Sequence, residues 1–129
     1  MNTNQKGDLT ELKIATQLMA LGHTVLFPYG DNSRYDLVFD DGESLKKVQC
    51  KSGTIKNGAV VFYTQSSTKR TTRGNIYTNI DYFGIYCSGN NTCYLVPIRD
   101  ASVNEMHLRI ELPKNGQKKN IKYAVVYKF

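Results

Sequence analysis

Between Leu9 and Leu21 the apolar residues recur at helical spacing. At 100° per residue Leu9, Leu12, Ile14, Ala15, Leu18, Met19 and Leu21 fall in one broad arc, opposite Lys13, Gln17 and Ala20. The pattern predicts an amphipathic helix that starts between Asn4 and Asp8, with Asp8 at its positive end and Gly22 as a left-handed cap. After it the period changes to two. His23–Tyr29 predicts a short strand interrupted by Pro28, and Tyr35–Asp40 and Ser44–Lys51 predict two strands joined at Asp41-Gly42, a tight-hairpin signal. Ala59–Thr64, Tyr82–Cys87 and Thr92–Ile98 are β-branched or aromatic runs, the last two separated by a second hairpin at Ser88-Gly89-Asn90-Asn91. Ser66–Asn79 is polar, basic and rich in Thr, and predicts a loop. Met106–Leu112 fits strand or helix, Pro113–Asn120 reads as a loop, and Ile121–Phe129 is ambiguous.

One residue contradicts its place in this pattern. Glu11 lies in the middle of the apolar arc, beside Ile14, Ala15 and Leu18, where a carboxylate is costly unless it is paired, protonated or bound to a metal. Taken alone it can also bend back to water or to a backbone amide. The hairpin offers partners. If Asp41-Gly42 is a two-residue loop, Asp40 faces Glu43 and Asp36 faces Lys47, so alternation puts Asp36, Lys47, Gln49 and Lys51 on one face. A three-residue loop would shift the pairing by one and break that alignment. Tyr35, Leu37, Phe39, Val48 and Cys50 take the opposite, apolar face.

An acidic residue on one strand, with an oxygen ligand two positions before a lysine on the next, suits phosphodiester hydrolysis. Asp36, the Gln49 amide oxygen and the Cys50 backbone carbonyl form a set of hard donors for Mg²⁺, or Mn²⁺ in its place, with Glu11 binding directly or through water. Lys51 is placed to orient the attacking water or to offset charge on the phosphorane-like transition state.

Length and composition narrow the context. A chain of 129 residues, 40% hydrophobic, predicts one domain with one core. No stretch approaches the roughly 18 apolar residues that cross a bilayer, and Met1–Asp8 lacks a signal-peptide pattern, so a soluble protein of the cytoplasm, nucleoid-associated when bound to DNA, is expected. The net charge of +6 argues for polyanion affinity. Its distribution sharpens this, since Ser44–Ile80 holds no acidic residue but contains Lys46, Lys47, Lys51, Lys56, Lys69, Arg70 and Arg73; such a run reads either as a solvated basic face or as a nucleic-acid surface. Cys50, Cys87 and Cys93 lack the spacing of a zinc site or a disulfide framework and read as reduced core thiols. His23 and His107 read as structural residues, and no glycine-rich phosphate loop is present.

Glu11 on the first helix, then Tyr35-Asp36, then Gln49-Cys50-Lys51 resembles the core signature of the PD-(D/E)XK nucleases. Within that superfamily the chain is most similar to the homing endonucleases encoded in group I introns. The similarity runs from Lys6-Gly7-Asp8 through Asp81–Tyr86 to Tyr94–Pro97, and more faintly to Asn115-Gly116-Gln117. Two positions depart from the pattern: Tyr35 stands where the family name has proline, and Gln49 where it has Asp or Glu. The resemblance implies an α/β fold, a restriction-endonuclease-like mixed sheet flanked by helices. It also implies a metal-dependent, site-specific double-strand DNA endonuclease with Glu11, Asp36, Gln49 and Lys51 at its centre. The DNA contacts expected beside that centre are Arg34, Lys47, Lys56, Ser66, Lys69, Arg70, Arg73 and Tyr77, in a basic segment at about 52–80, and the assembly expected is a homodimer or homotetramer. The rival readings are a structure-specific, Holliday junction resolvase-like nuclease and a catalytically inactive DNA-binding module.

Overall fold

The first helix, α1 (Thr3–Ala20), begins earlier than the apolar pattern marks because Asn2 caps it. The Asn2 side chain accepts the Gln5 amide and the Gln5 side chain accepts the Asn2 amide, each at 2.9 Å, a capping box that satisfies donors otherwise orphaned at a helix start. Asp8, expected at the helix start, therefore lies in the second turn. At the other end Gly22 has φ +94°; its N–H reaches the Met19 carbonyl at 2.9 Å and the His23 N–H reaches Leu18 at 3.1 Å, the Schellman termination that a glycine allows. The computed structural model describes residues 1–30, 32–64, 79–112, 115, 116 and 119–129.

The buried face of α1 is narrower than the predicted arc. Thr10, Ile14, Ala15 and Leu18 are buried, whereas Leu12, Met19 and Leu21, assigned to the same arc, are 58%, 63% and 55% exposed. Lys13 and Gln17, placed opposite that arc, are half-buried instead. A flat sheet covers only one stripe of a helix, and specific contacts choose which. The Thr10 hydroxyl meets the Ser52 hydroxyl at 2.8 Å, and Lys13 Nζ stands 5.5 Å from the centre of the Tyr86 ring.

Eight strands follow among the described residues: β1 (Thr24–Leu26), β2 (Leu37–Asp40), β3 (Leu45–Lys56), β4 (Ala59–Tyr63), β5 (Tyr82–Cys87), β6 (Thr92–Pro97), β7 (Glu105–Arg109) and β8 (Lys122–Tyr123), with a short α2 (Ala124–Tyr127) at the end. One layer has the order β1-β2-β3-β5-β6 and is antiparallel except for β3 with β5. β3 then leaves β5 and pairs with β4, which continues to β7 and β8. The change of partner occurs at Gly53, where a Cβ would stand 2.7 Å from Val60 and 2.9 Å from Ile85. The sequence reading ends this strand at Lys51. Its true end is marked by Asn57-Gly58, whose φ values of +50° and +75° and flanking Lys56–Ala59 pair make the two-residue primed turn that Asn-Gly favours.

The β2–β3 register corrects the predicted loop. Asp40 pairs with Leu45 and Leu37 with Val48, so four residues connect the strands, not two. The cause is local: Asp40 Oδ1 accepts the Gly42 amide at 2.8 Å, and Asp41 Oδ1 accepts the Glu43 and Ser44 amides at 2.9 Å. These aspartate side chains satisfy the turn amides and widen the loop. The pairing moves by two, and an even shift leaves the side chains of the paired strands on their predicted faces. Tyr35, expected beside Leu37 and Phe39, precedes β2, escapes its alternation and packs instead against the opposite apolar cluster, next to Lys47.

Two apolar layers result. Ile14, Ala15 and Leu18 of α1 pack on Leu37, Phe39, Val48, Tyr86 and Cys93, with Cys50 beside them. The other face of the sheet, including Phe83, Ile85 and Val96, packs on Val60, Phe62, Met106 and Leu108 from the second set of strands. All three cysteines are free thiols. No helix among the described residues is long and apolar enough to cross a membrane.

Candidate active site

β2 ends its pairing at Leu37–Val48, while β3 runs on beside β5 to Gly53. Past Val48, therefore, the β2 side of β3 is an open edge. Asp36 closes its first step. Its amide donates to the Val48 carbonyl at 2.8 Å, and its Oδ2 accepts the Cys50 amide at 2.7 Å. N–H and C=O of one strand residue point to the same side, so the Cys50 carbonyl faces this edge too. Continuing the register by one step sets Asp36 opposite Gln49, and Lys51 lies two residues further along the same face.

Glu11 comes to this edge from α1, half-buried next to Thr10 and one turn before Ile14 and Ala15. The Thr10–Ser52 hydroxyl pair ties the helix to β3 next to both Glu11 and Lys51. Neither hydroxyl stands out in the sequence periodicity; the one trace of the pair is that Thr10 falls within the buried stripe of α1.

The charges at the edge are electrostatically coupled. Burial raises the Asp36 carboxyl above its usual range, against the lowering effect of the Cys50 amide and of Lys51. Burial, then the neighbouring Asp36 and Asp8 carboxylates, raises Glu11. Lys51 is lowered by burial and partly restored by Asp36, and the Cys50 thiol is pushed far up by burial, Asp36 and Glu11. Burial opposes ionisation of both carboxyls, and Asp36 adds to it at Glu11, so the edge favours a compensating positive charge. Among the described residues no group of three or more His, Cys, Asp or Glu side chains is arranged to hold a metal ion, so a cation here would rest on Glu11, Asp36, the Gln49 amide and backbone oxygen. These are hard oxygen donors at an open edge, and they fit a Mg²⁺-like ion.

The expected DNA-contact residues divide. Arg34 is exposed and Lys56 is exposed at the tip of the β3–β4 turn, whereas Lys47 is half-buried, with Nζ 5.9 Å from the centre of the Tyr35 ring. Within the 52–80 segment Ala59–Phe62 are core residues. Ser66, Lys69, Arg70, Arg73 and Tyr77 lie outside the described residues. His23 packs on Phe39, with ring centres 5.1 Å apart, and His107 pairs with Glu105 at 2.7 Å.

Comparisons with known proteins agree with this fold. A search of curated proteins finds no significant match. Among solved structures, a bacterial homing endonuclease, I-Ssp6803I, superposes with a TM-score of 0.73 at 29% identity, over 98% of this chain and 86% of that one. The Holliday junction resolvase Hjc of Archaeoglobus fulgidus superposes with a TM-score of 0.50 at 13% identity, over 81% of this chain and 92% of that one, a likeness of fold alone. The family model for the PD-(D/E)XK endonuclease matches residues 1–129. With the mixed sheet, the helix on its face and a model match from end to end, the chain belongs to the PD-(D/E)XK endonuclease family.

Proposed function

We propose that the protein is a metal-dependent, site-specific endonuclease of double-stranded DNA, with Glu11, Asp36, Gln49 and Lys51 as its active centre. The observation that carries this reading is the Asp36 carboxylate at the open edge of β3, bonded to the Cys50 amide and coupled to Glu11 and Lys51. In this reading Asp36, Glu11, the Gln49 amide and the Cys50 carbonyl hold Mg²⁺ or Mn²⁺. The chemistry such an ion supplies when bound is Lewis-acid polarisation of the scissile phosphate and acidification of the attacking water. Asp36 is oriented by the strand through the Cys50 amide on its Oδ2, and its carboxylate would be among the groups that hold the cation. Lys51, with its ammonium partly desolvated, sets a positive charge where the pentacoordinate phosphate gathers negative charge. Arg34, Lys47 and Lys56, with the basic residues between Ser66 and Tyr77, hold the DNA backbone. The homing endonuclease similarity supports site-specific cutting of a duplex over branch recognition.

Cleavage of a target-bearing plasmid with Mg²⁺ tests the reading. Asp36→Ala and Lys51→Ala are each expected to lower the cleavage rate by at least about a hundredfold, with DNA affinity within a few-fold of wild type, because both side chains act on the reacting phosphate rather than on the contact surface. If either variant cut at the wild-type rate, the assignment of the centre would be wrong.

A further inference from the structure

The segment that leads from β1 into β2 encloses space beside the two carboxylates. Phe27, Pro28 and Tyr35 line a cleft of about 330 Å³ together with Gly30 and Ser33, and Glu11 and Asp36 complete its lining. A water occupies roughly 30 Å³, so the cleft has room for roughly ten, more than an octahedral cation and its waters would fill. It also lies at the low end of the roughly 300–1,000 Å³ typical of ligand sites, which suits one small unit rather than a stretch of polymer. The chemistry of the lining is divided. Most of the lining surface is polar; Phe27 contributes an exposed aromatic ring, while Tyr35 is half-buried against the core and carries the Lys47 ammonium 5.9 Å from its ring centre. Tyr35 and Asp36 are consecutive, so a group on the ring and a group at the carboxylate lie within the span of one nucleotide.

We propose that this cleft is a nucleotide subsite: it receives the base next to the cut bond, turned out of the helical stack and laid against Phe27 and Tyr35. The proposal rests on the nuclease reading above and adds to it a place for the base. Turning a base out sacrifices its stacking in the duplex, and stacking on an aromatic ring offsets that loss. Every base has a π-face, so the subsite is indifferent to sequence and leaves recognition to contacts along the duplex.

The chain has no tryptophan, so Phe27→Trp creates a single fluorescent reporter in the cleft. Phe27 is 53% exposed, and its replacement leaves the apolar layers intact. The probes are thymidine 5′-monophosphate and inorganic phosphate, each with Ca²⁺ present to offset the two carboxylates. The expected result is saturable quenching by the nucleotide and none by phosphate, with nucleotide affinity, read by NMR titration, falling on the order of tenfold in Phe27→Ala. Equal responses to the two probes, or a Phe27→Ala protein that binds the nucleotide as tightly as wild type, would overturn the subsite. Plasmid cleavage by the wild type separates the two ideas. Cutting without a nucleotide response overturns the subsite and leaves the nuclease standing; a nucleotide response without cutting of a target-bearing plasmid overturns the nuclease and, with it, the placement of the base beside a cut bond.

Discussion

Asp36 does two things that conflict in the absence of a cation: it accepts the Cys50 amide in the sheet and it carries a charge that its surroundings resist. Its carboxyl and that of Glu11 are raised, so folding favours their protonated forms. That contribution to stability is present below the ordinary carboxylate pKa and is lost as pH rises through the raised values. Lys51 is lowered, so its contribution is present above the ordinary lysine pKa and lost as pH falls through the depressed one. At neutral pH all three charges therefore oppose folding of the metal-free protein. Asp36→Asn keeps an oxygen for the Cys50 amide and removes the charge; it should raise the thermal midpoint at pH 7, and the gain should vanish below about pH 4. Calorimetry at both pH values checks this, and a pH-independent difference would sink it. Gln49 is the second test at this scale. If its amide oxygen binds the cation, Gln49→Ala should sharply raise the Mg²⁺ concentration for half-maximal cleavage, while Gln49→Glu should keep activity with equal or lower demand. A Gln49→Ala protein with the wild-type metal dependence would remove Gln49 from the ligand set.

At the scale of elements, the site depends on how closely α1 approaches the sheet. Gly84 on β5 permits that approach: a Cβ there would stand 3.0 Å from Val48 and 3.1 Å from Ile14. Ile14 is one turn from Glu11, so a helix pushed outward carries Glu11 with it. Gly84→Ala is expected to cost about 1–3 kcal/mol of stability by overpacking and to slow cleavage by a larger factor than it weakens DNA binding. Urea denaturation gives the first quantity, and cleavage and binding measured side by side give the second. A variant that is destabilised yet cuts at the wild-type rate would show that Glu11 tolerates the displacement.

At the scale of the whole molecule, one active centre per subunit faces a duplex with two antiparallel strands. Two-fold assembly presents two centres of opposite polarity at once, which a single subunit achieves only by dissociating and turning round. The protein with DNA is therefore expected to be a dimer or a dimer of dimers, the larger form covering a longer target. Light scattering of the protein alone and with a target-bearing duplex measures this, and monomers under both conditions would contradict it.

The order of elements from α1 to β6, the two hairpins and the residues of the candidate centre were legible in the sequence because each rests on local chemistry, whereas the segments that form β7, β8 and α2 carried no decisive period. Gly22 ends the first helix, period-two runs mark the strands, and Glu11 stands out as a carboxylate on an apolar stripe. The face shared by Asp36, Gln49 and Lys51 survived an error in loop length, since strand alternation depends only on whether a shift is odd or even. Asn57-Gly58 was equally local, and its primed turn was there to be read. What only the tertiary structure decided is where distant segments compete for the same partner. The stripe of α1 that is buried depends on Ser52 and Tyr86, far along the chain, which is why Leu12 and Met19 ended in solvent. β3 changes partners at Gly53 because β4 and β5 both reach it, and the open edge that holds the Asp36 carboxylate exists because β2 stops while β3 continues. Periodicity records which side a residue faces; it does not record what the fold brings to that side.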